Sequence, residues 1–229
     1  MKYKILGKRA EEIVRRVADW IKPGMSENNV KTILEQEYAR EEIEGIVYIV
    51  GSDERISKYR HCVASDKKIE KLIMLAPACR KWGLTLPITR MVFFGDSLPD
   101  ELERKYDALC LIEANTMANC NPGTRFADIF EMQKKLFFET GFPDEWKNHF
   151  QGGITGYMVN DSGKCLDQDA VITDRQTFNW YITITGAKVE ETFLTTEKEK
   201  TILSSTGLWP LKRYEVNGNA FDLPQIYIK

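Results

Sequence analysis

Between Glu70 and Asp96 the chain contains no aspartate or glutamate, although acids make up 34 of its 229 residues. Histidine is scarce as well, with His61 and His149 the only two. The acid-free stretch therefore supplies no carboxylate to any site. The five cysteines (Cys62, Cys79, Cys110, Cys120 and Cys165) are odd in number, widely spaced and free of Cys-x-x-Cys pairs. With so few histidines, neither a disulfide framework nor a structural zinc site fits. No run reaches the roughly 18 apolar residues that span a bilayer. The basic N-terminus passes directly into an amphipathic pattern, without the apolar core of a signal peptide. A net charge of −2, with both signs interspersed, leaves no electrostatic footprint for nucleic acid or an anionic membrane. The expectations are a reducing, cytoplasmic setting and a partner that is neither nucleic acid nor membrane.

What the acid-free stretch does contain is strand-like. Residues 72–75 are continuously apolar, and residues 84–94 are rich in β-branched and aromatic side chains, which predicts strands buried on both faces. Arg80, Lys81 and Gly83 form a turn-competent link, so an antiparallel hairpin is the simplest connection. Its inner face presents Ala76 and Pro87. Ahead of it, residues 5–21 place Ile5, Leu6, Ile13, Val17, Trp20 and Ile21 on one helical stripe, with Glu11 among the residues outside it. Pro23-Gly24 ends this helix, and Ser26 caps a second one that carries Val30, Ile33, Leu34 and Tyr38 inward. Gly45 then precedes a strand over 46–50.

The same layout returns about a hundred residues later. A helix from Pro99-Asp100 ends at Asn121-Pro122-Gly123, and residues 124–128 open the next. The matched order and length predict two related halves, each two helices plus strands, packed on a shared sheet with a pocket between them. Residues 149–211 read as β-rich, with strands over 178–186 and 189–195 and a polar loop over 161–176. At 43% hydrophobic residues the chain can bury one core, so residues 1–211 are predicted to form one α/β domain. Residues 208–211 would pack the tail, 212–229, onto it, leaving the part around Asn217-Gly218-Asn219 loosely held.

Tyr59-Arg-His-Cys-Val-Ala-Ser-Asp-Lys-Lys-Ile69, the Pro-Gly helices, Thr89-Arg90, His149-Phe-Gln-Gly-Gly153, Thr155-Gly-Tyr157 and Lys188-Val-Glu-Glu-Thr192 together resemble the superfamily of aminopeptidase P, prolidase, methionine aminopeptidase and creatinase. The resemblance runs from about residue 5 to 211 and is nearest to the Xaa-Pro-peptidase-like branch. It implies the pita-bread fold, an α+β domain with a pseudo-two-fold axis and a mainly antiparallel curved sheet. Relatives of the creatinase type pair as homodimers.

Active peptidases of this superfamily hold two metal ions with two aspartates, one histidine and two glutamates. Carried over residue by residue, those positions fall near Ala76, at Pro87, at or near Gly152, near Tyr181 and at Glu190. Only Glu190 matches, so no metal and no other cofactor is expected. The resemblance also places His61 at the pocket edge, where creatinase uses a histidine as acid/base without metal; a retained structural histidine is the other reading. His149, Gln151, Tyr157 and Trp180 are expected to contact a ligand, and Glu190 to need a donor such as Lys188, Arg90 or His61. The leading expectation is a peptide- or amide-binding domain with weak or no metallopeptidase activity. Two alternatives stay open: a metal-independent creatinase-type C–N hydrolase using His61 with Glu190, and a non-enzymatic protein-interaction module.

Overall fold

The computed structural model describes residues 1–161 and 170–229; Cys165 and part of the expected polar loop lie outside them. Helix α1 (Lys2–Trp20) is followed by a turn in which Gly24 adopts φ +87°, a conformation that excludes most side chains. Helix α2 (Glu27–Arg40) then starts on a capping box: the Ser26 hydroxyl accepts from the Asn29 amide while the Asn29 side chain accepts from the Ser26 amide. After β1 (Glu44–Ser52) and the short α3 (Glu54–Lys58) come β2 (Leu72–Lys81), β3 (Leu84–Pro87) and β4 (Arg90–Phe93).

The predicted hairpin is present, but its turn is Trp82-Gly83. Both residues have positive φ, and Arg80 and Lys81 belong to the strand. Strands β1, β2 and β4 lie side by side, with β3 also paired to β2.

The second half repeats this plan. Helices α4 (Asp100–Asn119) and α5 (Phe126–Glu139) have 20 and 14 residues against 19 and 14 in α1 and α2. The turns between them correspond bond for bond. Gly24 donates to the Ile69 carbonyl and Gly123 to that of Ile172; Glu27 donates to Lys67 and Phe126 to Ala170. Gly123 repeats φ +87°. Strands β5 (Gly152–Ile154), β6 (Gln176–Trp180), β9 (Glu191–Thr195) and β10 (Lys200–Ile202) form the second sheet. The predicted continuous strand over 178–186 is instead broken after Trp180, and β7 (Thr183–Ile184) pairs with β8 (Ala187–Lys188) as a separate hairpin. One antiparallel bridge, Thr89 to Glu190, joins the two sheets.

Two expectations about α1 are corrected. Ile5 and Trp20 are exposed, and Glu11 is fully buried. The helix is turned toward the segment after β10: Glu11 Oε2 accepts from the Thr206 amide at 2.6 Å, and a Cβ on Gly7 would lie 1.7 Å from the Leu203 carbonyl oxygen. The tail is not loosely held either. Strands β11 (Leu211–Val216) and β12 (Asn219–Pro224) form a hairpin, and β13 (Tyr227–Ile228) adds to β4 in parallel. Phe221, Leu223 and Ile226 are buried in the core beneath α4. The tail has only short alternating strands and no long apolar run, so its sequence carries little sign of this burial.

Candidate functional site

The bridge between the sheets sets the position of the site. Ala76 and Ala78 lie on β2, and Pro87, opposite Ala78, ends β3. Tyr181 follows β6, Lys188 ends β8 and Glu190 immediately precedes β9. Together with His61, Val47, Ile49, Pro77 and Val159 they line one cavity of about 170 Å³. Four of the five positions singled out for metal ligands thus meet in one place, although three of them carry Ala, Pro and Tyr.

Glu190 is nearly buried, and two side-chain donors converge on its Oε2. The Thr89 hydroxyl donates to it, and Lys188 Nζ lies 2.8 Å away. Lys188 shares this burial, with its side chain 7% exposed, and its ammonium stands 5.5 Å from the centre of the Tyr181 ring. Residues i and i+2 of an extended segment point the same way, which brings Lys188 alongside Glu190. Arg90 pairs instead with Glu191, and His61 meets His149.

His61 stands at the mouth of the cavity, on a loop tied down at several points. Arg60 donates to Glu145 at 2.6 Å, and the same carboxylate accepts from the Thr185 amide and hydroxyl. Cys62 packs where a Cβ on Gly51 would sit, 2.5 Å away. Glu27 gathers the Ser52 and Ser65 amides and hydroxyls together with Arg55. Glu27 and Glu145 hold the site in shape; Glu145, in Glu145-Trp146, is among the residues that carry the family resemblance, whereas Glu27 is marked only by its place after the Ser26 cap.

His61 and His149 face each other with Nε2 atoms 3.4 Å apart and rings 4.9 Å between centres. Partial burial, then the positive charge of Lys188, lowers the pKa of His61. His149 is lowered to about 4, first by burial and then by the charges of Lys188, His61 and Arg60. Both rings are therefore neutral near pH 7. His149 Nδ1 is buried with no hydrogen-bond partner among the described residues. A bare ring nitrogen there costs less than an unpaired N–H, so the favoured tautomer has His149 donating from Nε2 to His61.

The other expected ligand contacts divide. Gln151 is spent on the backbone, donating to the His149 carbonyl at 2.6 Å and accepting from the Thr183 amide at 3.1 Å. Trp180 is 0% exposed and packs among Phe178 and Phe130, because strand alternation sends its neighbour Tyr181 to the cavity. Tyr157 is 60% exposed and stacks under Arg80 outside the cavity wall. Gly152 is held at φ +113°. A Cβ there would meet the Asn179 carbonyl oxygen at 2.3 Å and Trp180 Cα at 2.7 Å.

The profile of metallopeptidase family M24 matches residues 2–197. The chain belongs to that family. Its fold is the pita-bread fold, shared with the Xaa-Pro dipeptidase of Bacillus anthracis (18% identity, TM-score 0.78, 97% of this chain and 60% of that one). It is shared equally with the X-Pro aminopeptidase of Thermotoga maritima MSB8 (18%, 0.80, 100% and 62%) and the prolidase of Pyrococcus horikoshii OT3 (21%, 0.76, 89% and 60%). The M24 chain spans about three-fifths of the length of these structures. No curated protein matches it. Among the described residues no helix is long and apolar enough to cross a membrane.

The residues present do not fit a dinuclear metal centre. Hard divalent ions need several oxygen ligands, whereas Ala76 and Pro87 offer no side-chain donor and Lys188 already neutralises Glu190. Among the described residues no three His, Cys, Asp or Glu side chains gather as a metal cage.

Proposed function

We propose that this M24 chain binds a peptide or small amide in the cavity between its halves, with an internal ion pair in place of a metal centre. The observation that carries this reading is the Lys188–Glu190 pair at 2.8 Å, in a cavity walled by Ala76, Pro87 and Tyr181. An ammonium supplies one fixed positive charge and hydrogen-bond donors. It does not generate a hydroxide nucleophile, which is what a metal pair contributes to peptide hydrolysis. Xaa-Pro peptidase activity is accordingly absent or very weak. Elemental analysis of protein purified without chelator tests this directly, followed by assay on Xaa-Pro peptides with added manganese, cobalt or zinc. Stoichiometric metal that disappears in Glu190→Ala, together with metal-dependent turnover, overturns the reading.

A second reading is favoured by the neutral His61–His149 pair. A neutral imidazole at the cavity mouth takes a proton from an attacking water, as a metal-free C–N hydrolase requires, once that water replaces His149 on His61 Nε2. Screening creatine-like amidines and cyclic amides, with His61→Ala as control, separates the two. Turnover that resists chelator and is lost in His61→Ala selects hydrolysis.

A further inference from the structure

The polar wall of the cavity is lopsided. Glu190 Oε2 receives both Thr89 and Lys188, while Oε1 has no hydrogen-bond partner among the described residues and is not sealed off. Lys188 carries three N–H donors, and its one acceptor among the described residues is that same carboxylate. An open acceptor and an under-used donor therefore stand side by side within a shell of Val47, Ile49, Ala76, Ala78, Pro87 and Val159. Buried polar groups left unpaired cost free energy, so the fitting occupant completes both.

Charge narrows the class. Lys188 and Glu190 cancel, and both histidines are neutral near pH 7. A carboxylate would sit against Glu190 without a counter-charge, and an ammonium would sit against Lys188. The geometry points to a compact neutral amide with its C=O and N–H on one edge, a primary amide or a lactam, whose oxygen accepts from Lys188 and whose N–H donates to Glu190 Oε1. At the packing density of protein interiors the cavity holds about six to eight non-hydrogen atoms. The body of the ligand is then one small ring or branched chain, and a longer peptide would place only one residue inside. This inference rests on the reading of the cavity as a ligand site and names what that site takes.

Ligand-observed NMR titration of the purified chain tests it with five probes: 2-pyrrolidinone, isobutyramide, isobutyrate, isobutylamine and N,N-dimethylisobutyramide. The two amides bearing N–H are expected to bind at least tenfold more tightly than the other three. Lys188→Met should remove that preference; Lys188→Gln, which keeps an N–H donor, should retain part of it, and a melting curve establishes that each variant is folded. Equal or tighter binding of isobutyrate, isobutylamine or the dimethylamide overturns the amide assignment while leaving a ligand site standing. Binding of none of the five overturns both.

Discussion

At the carboxylate of Glu190 two donors, Thr89 and Lys188, meet on one oxygen in a nearly buried setting. Removing one partner of such a pair leaves an uncompensated buried charge, a loss of about 3–5 kcal/mol. Lys188→Met is therefore expected to lower unfolding free energy by about 3 kcal/mol in urea titration, and Lys188→Met with Glu190→Gln to recover most of it. The sign for His149 follows from its pKa of about 4 in the folded chain against an ordinary 6.5. The unfolded chain binds more protons between those values, so this contribution to stability is complete above pH 6.5 and lost as pH falls toward 4. Melting temperature measured from pH 7 to pH 4.5 should fall less in His149→Gln than in the parent chain. The sequence marks Glu190 through Lys188-Val-Glu-Glu-Thr192 and His61 through its own motif, and both reach the cavity. It misplaces Trp180, because which of two adjacent residues faces a cavity depends on strand parity, which a motif does not specify. The pairing of His61 with His149 depends on a contact 88 residues apart and left no local trace.

The elements behind the cavity are joined through buried charge. Arg90, on β4, pairs with Glu191 at the start of β9, donates to the Ser204 carbonyl at 3.0 Å and approaches Glu11 of α1 at 3.7 Å. Replacement by Met leaves Glu191 unpaired and is expected to cost about 3–5 kcal/mol, with partial recovery in Arg90→Met with Glu191→Gln. Glu113 on α4 accepts from the Glu191 amide at 3.0 Å, and burial, then the charge of Glu191, pushes its pKa well up. A carboxyl raised in the folded chain supports stability below its unfolded pKa and loses that support as pH rises through its folded value. Glu113→Gln keeps the acceptor and removes the titration. Its melting temperature should match the parent's at pH 5 and exceed it at pH 8.5. Helix punctuation made the paired helices readable in advance, since Pro-Gly turns and the Ser26 cap act locally. The rotation of α1 was not readable, because it follows from Gly7 and Glu11 meeting residues 203–206 across the fold.

Across the molecule, the last strand closes the first sheet. Lys229 donates to Phe93 and Gly95 to Lys229, both at 2.9 Å, and the hairpin before it buries Phe221, Leu223 and Ile226. At about 1.5–3 kcal/mol per buried side chain, these three alone rival the whole stability of an ordinary domain. A chain ending at residue 211 is expected to be insoluble or to melt without a cooperative transition, as circular dichroism would record. The repeat of helices and turns was legible because both copies use the same punctuation; the closure was not, because β13 has only two residues. The backbone at Gly152 bears on what the fold can accept. The side chains at positions 76, 87 and 181 can be exchanged for carboxylates without moving the backbone, but a histidine at position 152 has nowhere to begin. Its first carbon would collide with the adjacent strand, at a φ that side chains rarely adopt. A side chain at position 152 is thus excluded by main chain and not by the residues that line the cavity.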